Sequence, residues 1–304
     1  MRKSVKISLA VVGLIIVLVA AVAAGLFLWR PAFLSGPECT VPGDPGNPTA
    51  VPAVELTVAQ LQHASTINAV GLSRGISQQG RIIAVAAAYQ ESSLRNRPDG
   101  DRDSVGLFQQ RPSQGWGTAE QIIDPVYSSG KFYDALLEVP DWQDMSLTEA
   151  AQAVQYSGFP DAYAKWEPQA TTLVRGLSGS VQPDLTCSSG SRMPTSEAPQ
   201  RPPLAGTADA TPALASTLAA AQAELGGLTV QQVSDDGMTA TVDATVAELD
   251  PTAAGRSLAA WGVAHAVSMD ITEVAVQDRH WVDHEWTSAD PMANPAQVVI
   301  TVSR

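Results

Sequence analysis

Ala87-Ala88-Tyr89-Gln90-Glu91-Ser92-Ser93-Leu94 closes a long apolar run and leaves one carboxylate, Glu91, at its end. Behind it, Ile82, Ile83, Val85, Ala86 and Tyr89 give residues 78–94 a helical pattern. The many alanines predict a helix buried on most sides. Asn96-Arg97-Pro98-Asp99-Gly100 then reads as a turn. Gly106-Leu107-Phe108-Gln109 follows, a glycine-led segment whose Leu107 and Phe108 can wall in the carboxylate. A carboxylic acid works as a proton donor at neutral pH only where burial raises its pKa, and this placement suits Glu91 to general-acid work. The competing reading is a solvated glutamate at a helix end, the common fate of the residue type.

Outward from this stretch, the chain of 304 residues predicts about two domains. Residues 55–187 read as a helical domain in which no strand run stands out. Ser146-Leu147-Thr148-Glu149 is a capping box that starts a helix toward Gln155. Asp161 can cap the next helix, which Pro168 should kink or interrupt. Residues 31–54 and 188–212, rich in Gly, Pro and Ser, read as linkers. Residues 213–304 predict a small α+β domain in the order helix–strand–strand–helix–strand–strand. Its strands are Leu228 to Val233, Met238 to Val246, Asp270 to Val276 and Gln297 to Val302, its helices Ala215 to Leu225 and Thr252 to Ala266, and Asp235-Asp236-Gly237 signals a hairpin.

The N-terminus carries Arg2, Lys3 and Lys6 and then runs without charge from Ile7 to Leu28. That run is about 33 Å as a helix, against about 30 Å of bilayer hydrocarbon. Residues 1–30 therefore predict a cytoplasmic tip and a transmembrane anchor, with the bulk of the chain extracytoplasmic. The alternative is a signal peptide cleaved near Ala21-Val22-Ala23, which exports the same domains. Cys39 and Cys187 are the two cysteines. In an oxidising compartment such a pair predicts a disulfide. A formal net charge of −13 argues against an electrostatic hold on nucleic acid.

The stretch between Glu55 and Val174 resembles the lytic transglycosylases of the lysozyme superfamily. The resemblance lies in Glu91-Ser92, in Gly106-Leu107-Phe108-Gln109 where the family has G-L-M-Q, and in Ile122-Ile123-Asp124-Pro125. Ala153 to Pro160 occupies the place of the family's A-Y-N-x-G motif but lacks its aromatic–Asn pair, and Gln155 or Tyr156 stands in. The resemblance implies a mostly α, lysozyme-like catalytic domain after the transmembrane helix. It implies a peptidoglycan glycan strand as partner and cleavage of the β-1,4 bond between N-acetylmuramic acid and N-acetylglucosamine. Glu91 would be general acid and then base. Ser92, Gln109, Trp116, Gln155 and Tyr156 would be the substrate contacts. No cofactor is implied.

Hydrolysis by inversion would need a second carboxylate about 6.5–9.5 Å away. Asp99, Asp101 and Asp103 are the candidates, and a polar surface turn is their plainer reading. The same run imitates the opening of a calcium loop, but Ser104 and Gln110 stand where the loop needs Gly and Glu, so no metal is expected. His280 and His284, in strand-like sequence, also read as surface or packing residues. No catalytic motif appears in residues 213–304, which suit an envelope-protein partner. The alternative to an enzyme is a wall-binding scaffold on the same fold.

Overall fold

The computed structural model describes residues 39–155, 162–188 and 201–303, and among them lie eight α-helices and nine strands. Strand β1 (Cys39–Val41) runs between β2 (Val54–Leu56) and β3 (Thr186–Cys187), antiparallel to both. Cys39 lies opposite Cys187 in this register, and the two form the expected disulfide. The bridge closes a loop with a sequence separation of 148 residues.

That loop holds six helices: α1 (Val58–Ser73), α2 (Gln78–Ser92), α3 (Ala119–Ile123), α4 (Pro125–Glu138), α5 (Leu147–Gln155) and α6 (Glu167–Leu177). Helix α1 begins with a reciprocal capping box. The Gln60 N–H donates to Thr57 Oγ1 at 3.3 Å and the Thr57 N–H donates to Gln60 Oε1 at 3.0 Å. Past its first turns α1 is buried almost all round, from Ala64 to Leu72. It packs on α2, α4 and α6 within the loop and on α7 (Pro212–Leu225) and α8 (Pro251–His265) beyond it. Where α7 meets α8 the buried Glu224 carboxylate accepts from Trp261 Nε1 at 2.8 Å.

Helices α7 and α8 pack on a six-stranded antiparallel sheet of β4 (Leu228–Val233), β5 (Thr239–Ala244), β6 (Ile271–Val276), β7 (Arg279–Val282), β8 (Glu285–Ser288) and β9 (Gln297–Val302). The spatial order is β4-β5-β9-β6-β7-β8. In β5 and β9 every second residue is buried, namely Ala240, Val242 and Ala244, and Val298, Ile300 and Val302. Their partners in sequence stay half-exposed, as one covered face requires.

The expected fold class is corrected in three respects. First, the helical region is not free of strands. Strands β1 to β3 are two or three residues long, too short for an alternating pattern to show. Second, the last region runs helix–strand–strand–helix and then four strands, not two. The added β7–β8 hairpin turns at Asp283-His284, where both residues have positive φ (49° and 67°). Such turns usually announce themselves with Asn-Gly or Asp-Gly, and Asp-His does not. Third, Pro168 does not kink a helix but sits in the first turn of α6, where a missing N–H is harmless. The transmembrane segment expected at 7–28 lies outside the described residues. Among those described, no helix is long and apolar enough to cross a membrane.

Candidate functional site

Glu91 stands one residue before the end of α2. The helix starts at Ser77, whose Oγ accepts from the Gly80 N–H at 3.3 Å. It ends without glycine: Ser93 and Leu94 both adopt left-handed φ (56° and 55°), and the Leu94 N–H donates to the Ala88 carbonyl at 3.1 Å. Leu94 is fully buried, which offsets the backbone strain. Helix α1 grips the same turn twice. Gln60 Nε2 donates to the Ser93 carbonyl at 2.9 Å, and His63 Nδ1 to the Leu94 carbonyl at 2.8 Å. Burial pushes His63 below its ordinary pKa, so a neutral ring protonated at Nδ1 makes this bond.

The segment after Glu91 folds back as a tight loop. Val105 pairs with Gln110, and Gly106 with Arg97, in single antiparallel bridges. Leu107 and Phe108 are buried, and Phe108 stacks on Phe132 at 4.8 Å. Gly106 is required twice over: its φ is +81°, and a Cβ there would lie 2.8 Å from the Ile122 carbonyl oxygen. Gln109 also holds a left-handed φ of 49° without being glycine, a strain that tends to gather at functional sites. Gly106→Ala is expected to lower stability by about 1–3 kcal/mol, read as a denaturant midpoint. Wild-type stability would mean that the loop relaxes without strain.

Between this loop and the ends of α2 and α5 lies a cleft of about 620 Å³, within the usual range for ligand sites. Glu91, Phe108, Gln109, Gln110, Arg111, Gln114, Trp116 and Gln155 line it. Gln155 is fixed by a bond from its Nε2 to the Phe108 carbonyl at 3.3 Å. Trp116 is half-buried against the core, and its carbonyl accepts from Tyr127 Oη at 3.2 Å. The buried Tyr163 hydroxyl donates to Glu91 Oε1 at 2.7 Å. A short turn, Ala164–Trp166, follows Tyr163, and Trp166 stacks on Tyr89 at 4.9 Å and donates to Gln90 Oε1 at 3.0 Å. This clamp holds the phenol against α2.

No family model matches this chain, and no curated protein does.

The chemistry of the cleft therefore has to be read from its groups. Burial holds the Glu91 carboxyl above its ordinary pKa, and the Tyr163 hydrogen bond opposes that shift without cancelling it. Glu91 is the only carboxylate among the described residues of the lining. If Glu91 works as an acid, activity falls as pH rises through its pKa. Tyr163→Phe removes the opposing hydrogen bond and should move that alkaline limb to higher pH, seen in a pH profile of kcat/KM. An unmoved limb would mean that the phenol does not bear on the carboxylate.

The cleft brings together five residues singled out from sequence: Glu91, Phe108, Gln109, Trp116 and Gln155. Ser92 lies inside the protein instead. Its hydroxyl donates to the Leu107 carbonyl at 2.7 Å, with the Ala88 carbonyl 3.1 Å from the same oxygen, tying α2 to the loop. Asp99 and Asp101 are exposed. The Asp103 carboxylate accepts from the Ser113 N–H at 2.8 Å, Arg111 Nε at 2.9 Å and Ser113 Oγ at 3.0 Å, which hold it far below the usual carboxylate range. Tyr156 lies outside the described residues. His280 pairs with Glu273 across β6 and β7 at 3.1 Å, and His284 sits in the β7–β8 turn. Tyr163, Gln110, Arg111 and Gln114 escaped the sequence reading.

Proposed function

We propose that this cleft cuts the glycan strand of peptidoglycan between N-acetylmuramic acid and N-acetylglucosamine, with Glu91 as general acid and base. One observation carries the reading: a half-buried carboxylate, raised in pKa and held by a phenol, in the wall of a cleft lined also by amides and a tryptophan. Glutamine side chains suit acetamido and hydroxyl groups, and an indole face suits a sugar ring. The resemblance of Glu91-Ser92 and Gly106 to Gln109 to the lytic transglycosylases supports the same choice.

The chemistry needs one carboxyl group. Protonated Glu91 gives its proton to the glycosidic oxygen as the C1–O bond breaks, and positive charge develops on the sugar. The resulting carboxylate then takes the proton of the sugar's C6 hydroxyl as that oxygen bonds to C1. The product is a 1,6-anhydro sugar, no water is consumed, and Glu91 returns to its protonated form. This route asks for only the one carboxylate that the described residues of the lining hold, whereas hydrolysis by inversion pairs two. The reading places the protein outside the cytoplasm, where the Cys39–Cys187 bridge persists.

The test is to incubate the protein with purified peptidoglycan and analyse the released fragments by mass spectrometry. Anhydro ends are the expected product. Reducing ends would mean a hydrolase, and binding without release would favour a wall-binding scaffold.

A further inference from the structure

We propose that Arg111 is the specificity-determining residue of this cleft and selects a glycan bearing a carboxylate on its muramoyl substituent. The inference rests on the lytic reading above. Arg111 is the only cation among the described residues of the lining, in a protein whose formal net charge is −13. Its side chain is 22% exposed, covered enough for its charge to be weakly screened.

The group is built in rather than draped over the surface. Asp103 takes the Nε–H of Arg111 and is itself pinned by both the backbone and the hydroxyl of Ser113. Those three bonds favour the anionic form of Asp103. Asp103 is also the one acidic partner of Arg111 among the described residues, and it engages the Nε side. The two terminal amino groups remain, and they form the fork that grips a carboxylate through two parallel bonds. The other lining groups beside Arg111, namely Gln109, Gln110 and Gln114, are neutral amides. Gln110 is buried and donates to the Ser128 carbonyl at 3.1 Å, and the other two can hold hydroxyl and acetamido groups but give no charge selection.

The glycan itself offers such an anion in two forms. Where stem peptides have been removed, the lactyl group of muramic acid ends in a free carboxylate. Where they remain, that carboxyl is an amide and the negative charge lies on the peptide. If the lactyl form is the one held, an amidase-type hydrolysis must precede this enzyme.

The experiment compares wild type, Arg111→Gln and Arg111→Lys on three substrates: strands stripped of stem peptides, strands that retain them, and neutral oligomers of N-acetylglucosamine. Wild type should prefer a carboxylated strand to the neutral one at least tenfold in kcat/KM, the least expected of a charged hydrogen-bonded pair. Arg111→Gln should bring that ratio to about one. Arg111→Lys, a point charge without the fork, should keep an intermediate ratio, and it serves alone if the Gln variant fails to fold. Preference for stripped strands assigns the lactyl carboxylate, and preference for peptide-bearing strands assigns the stem. An unchanged ratio in folded Arg111→Gln, or no preference in wild type, overturns the proposal. Calorimetric binding of the same strands to Glu91→Gln, with and without Arg111→Gln, separates the two readings. If nothing is cleaved, the lytic reading falls, while loss of carboxylate-dependent binding on removing Arg111 still upholds the anion site. Equal binding with and without Arg111 overturns it.

Discussion

Glu91→Gln should leave the protein folded and cut the release of soluble glycan fragments by about 10²–10⁴-fold, the usual contribution of a general acid. Glutamine keeps the shape of the side chain and an oxygen that can accept the Tyr163 hydroxyl, but it has no proton to deliver. The same variant makes a second statement about stability. Burial is the larger influence on Glu91 and holds its pKa above the unfolded value. Folded protein therefore binds this proton more readily than unfolded protein. Stability from this group is fully present below the unfolded pKa and falls as pH rises through the folded one. An uncharged glutamine escapes that loss. Glu91→Gln should thus melt no lower than wild type at neutral pH, and any advantage should vanish in acid, below the carboxylate range. Undiminished lysis would remove Glu91 from the chemistry. A variant that melts lower at neutral pH would show that the carboxylate supports the fold.

Opening the Cys39–Cys187 bridge should cause the largest loss of stability. The bond closes a loop with a sequence separation of 148 residues, and the chain-entropy treatment gives about 5 kcal/mol for a loop of that length. For a protein of this size that corresponds to a fall in Tm of about 10–20 °C. Strand β3 is only two residues long, and besides its pairing with β1 the end of the loop is held by Trp286 Nε1 on the Leu185 carbonyl at 3.1 Å and by Arg279 on Asp184 at 2.8 Å, so some order there should survive the opened bridge. Calorimetry with and without a thiol reductant, and on the Cys39→Ser/Cys187→Ser variant, checks this. The two routes should give the same Tm, and an unchanged Tm in both would mean that the bridge contributes nothing.

Much of the secondary structure was legible because its signals are local. Ser146 and Glu149 do form the predicted capping box, with the Ser146 N–H donating to Glu149 Oε2 at 2.9 Å. Strand β9 falls on the residues where alternation placed it, and Asp235-Asp236-Gly237 does join β4 to β5. What escaped is held by partners far away in sequence. Strand β1 pairs with segments on either side of the helical loop, and nothing in three residues announces that. The β7–β8 hairpin turns on residues that tolerate positive φ without advertising it. The cleft follows the same rule. Glu91 and Gln109 lie in one readable stretch, whereas Tyr163 reaches Glu91 across 72 residues. The place of Ser92 was hidden for a related reason: its neighbour is a backbone carbonyl 15 residues on, a contact that residue type alone does not reveal.

The disulfide also has a mechanical consequence. The helical loop enters at Cys39 and leaves at Cys187, and those two residues are covalently joined. A pull applied to the chain before Cys39 and after Cys187 loads that bond rather than the helices between them. The clamp of Tyr163 and Trp166 on α2, and the grip of α1 on the turn after Glu91, lie inside the shunted segment. Tension carried along the backbone across the bridge therefore bypasses the helices that hold the acid against its phenol.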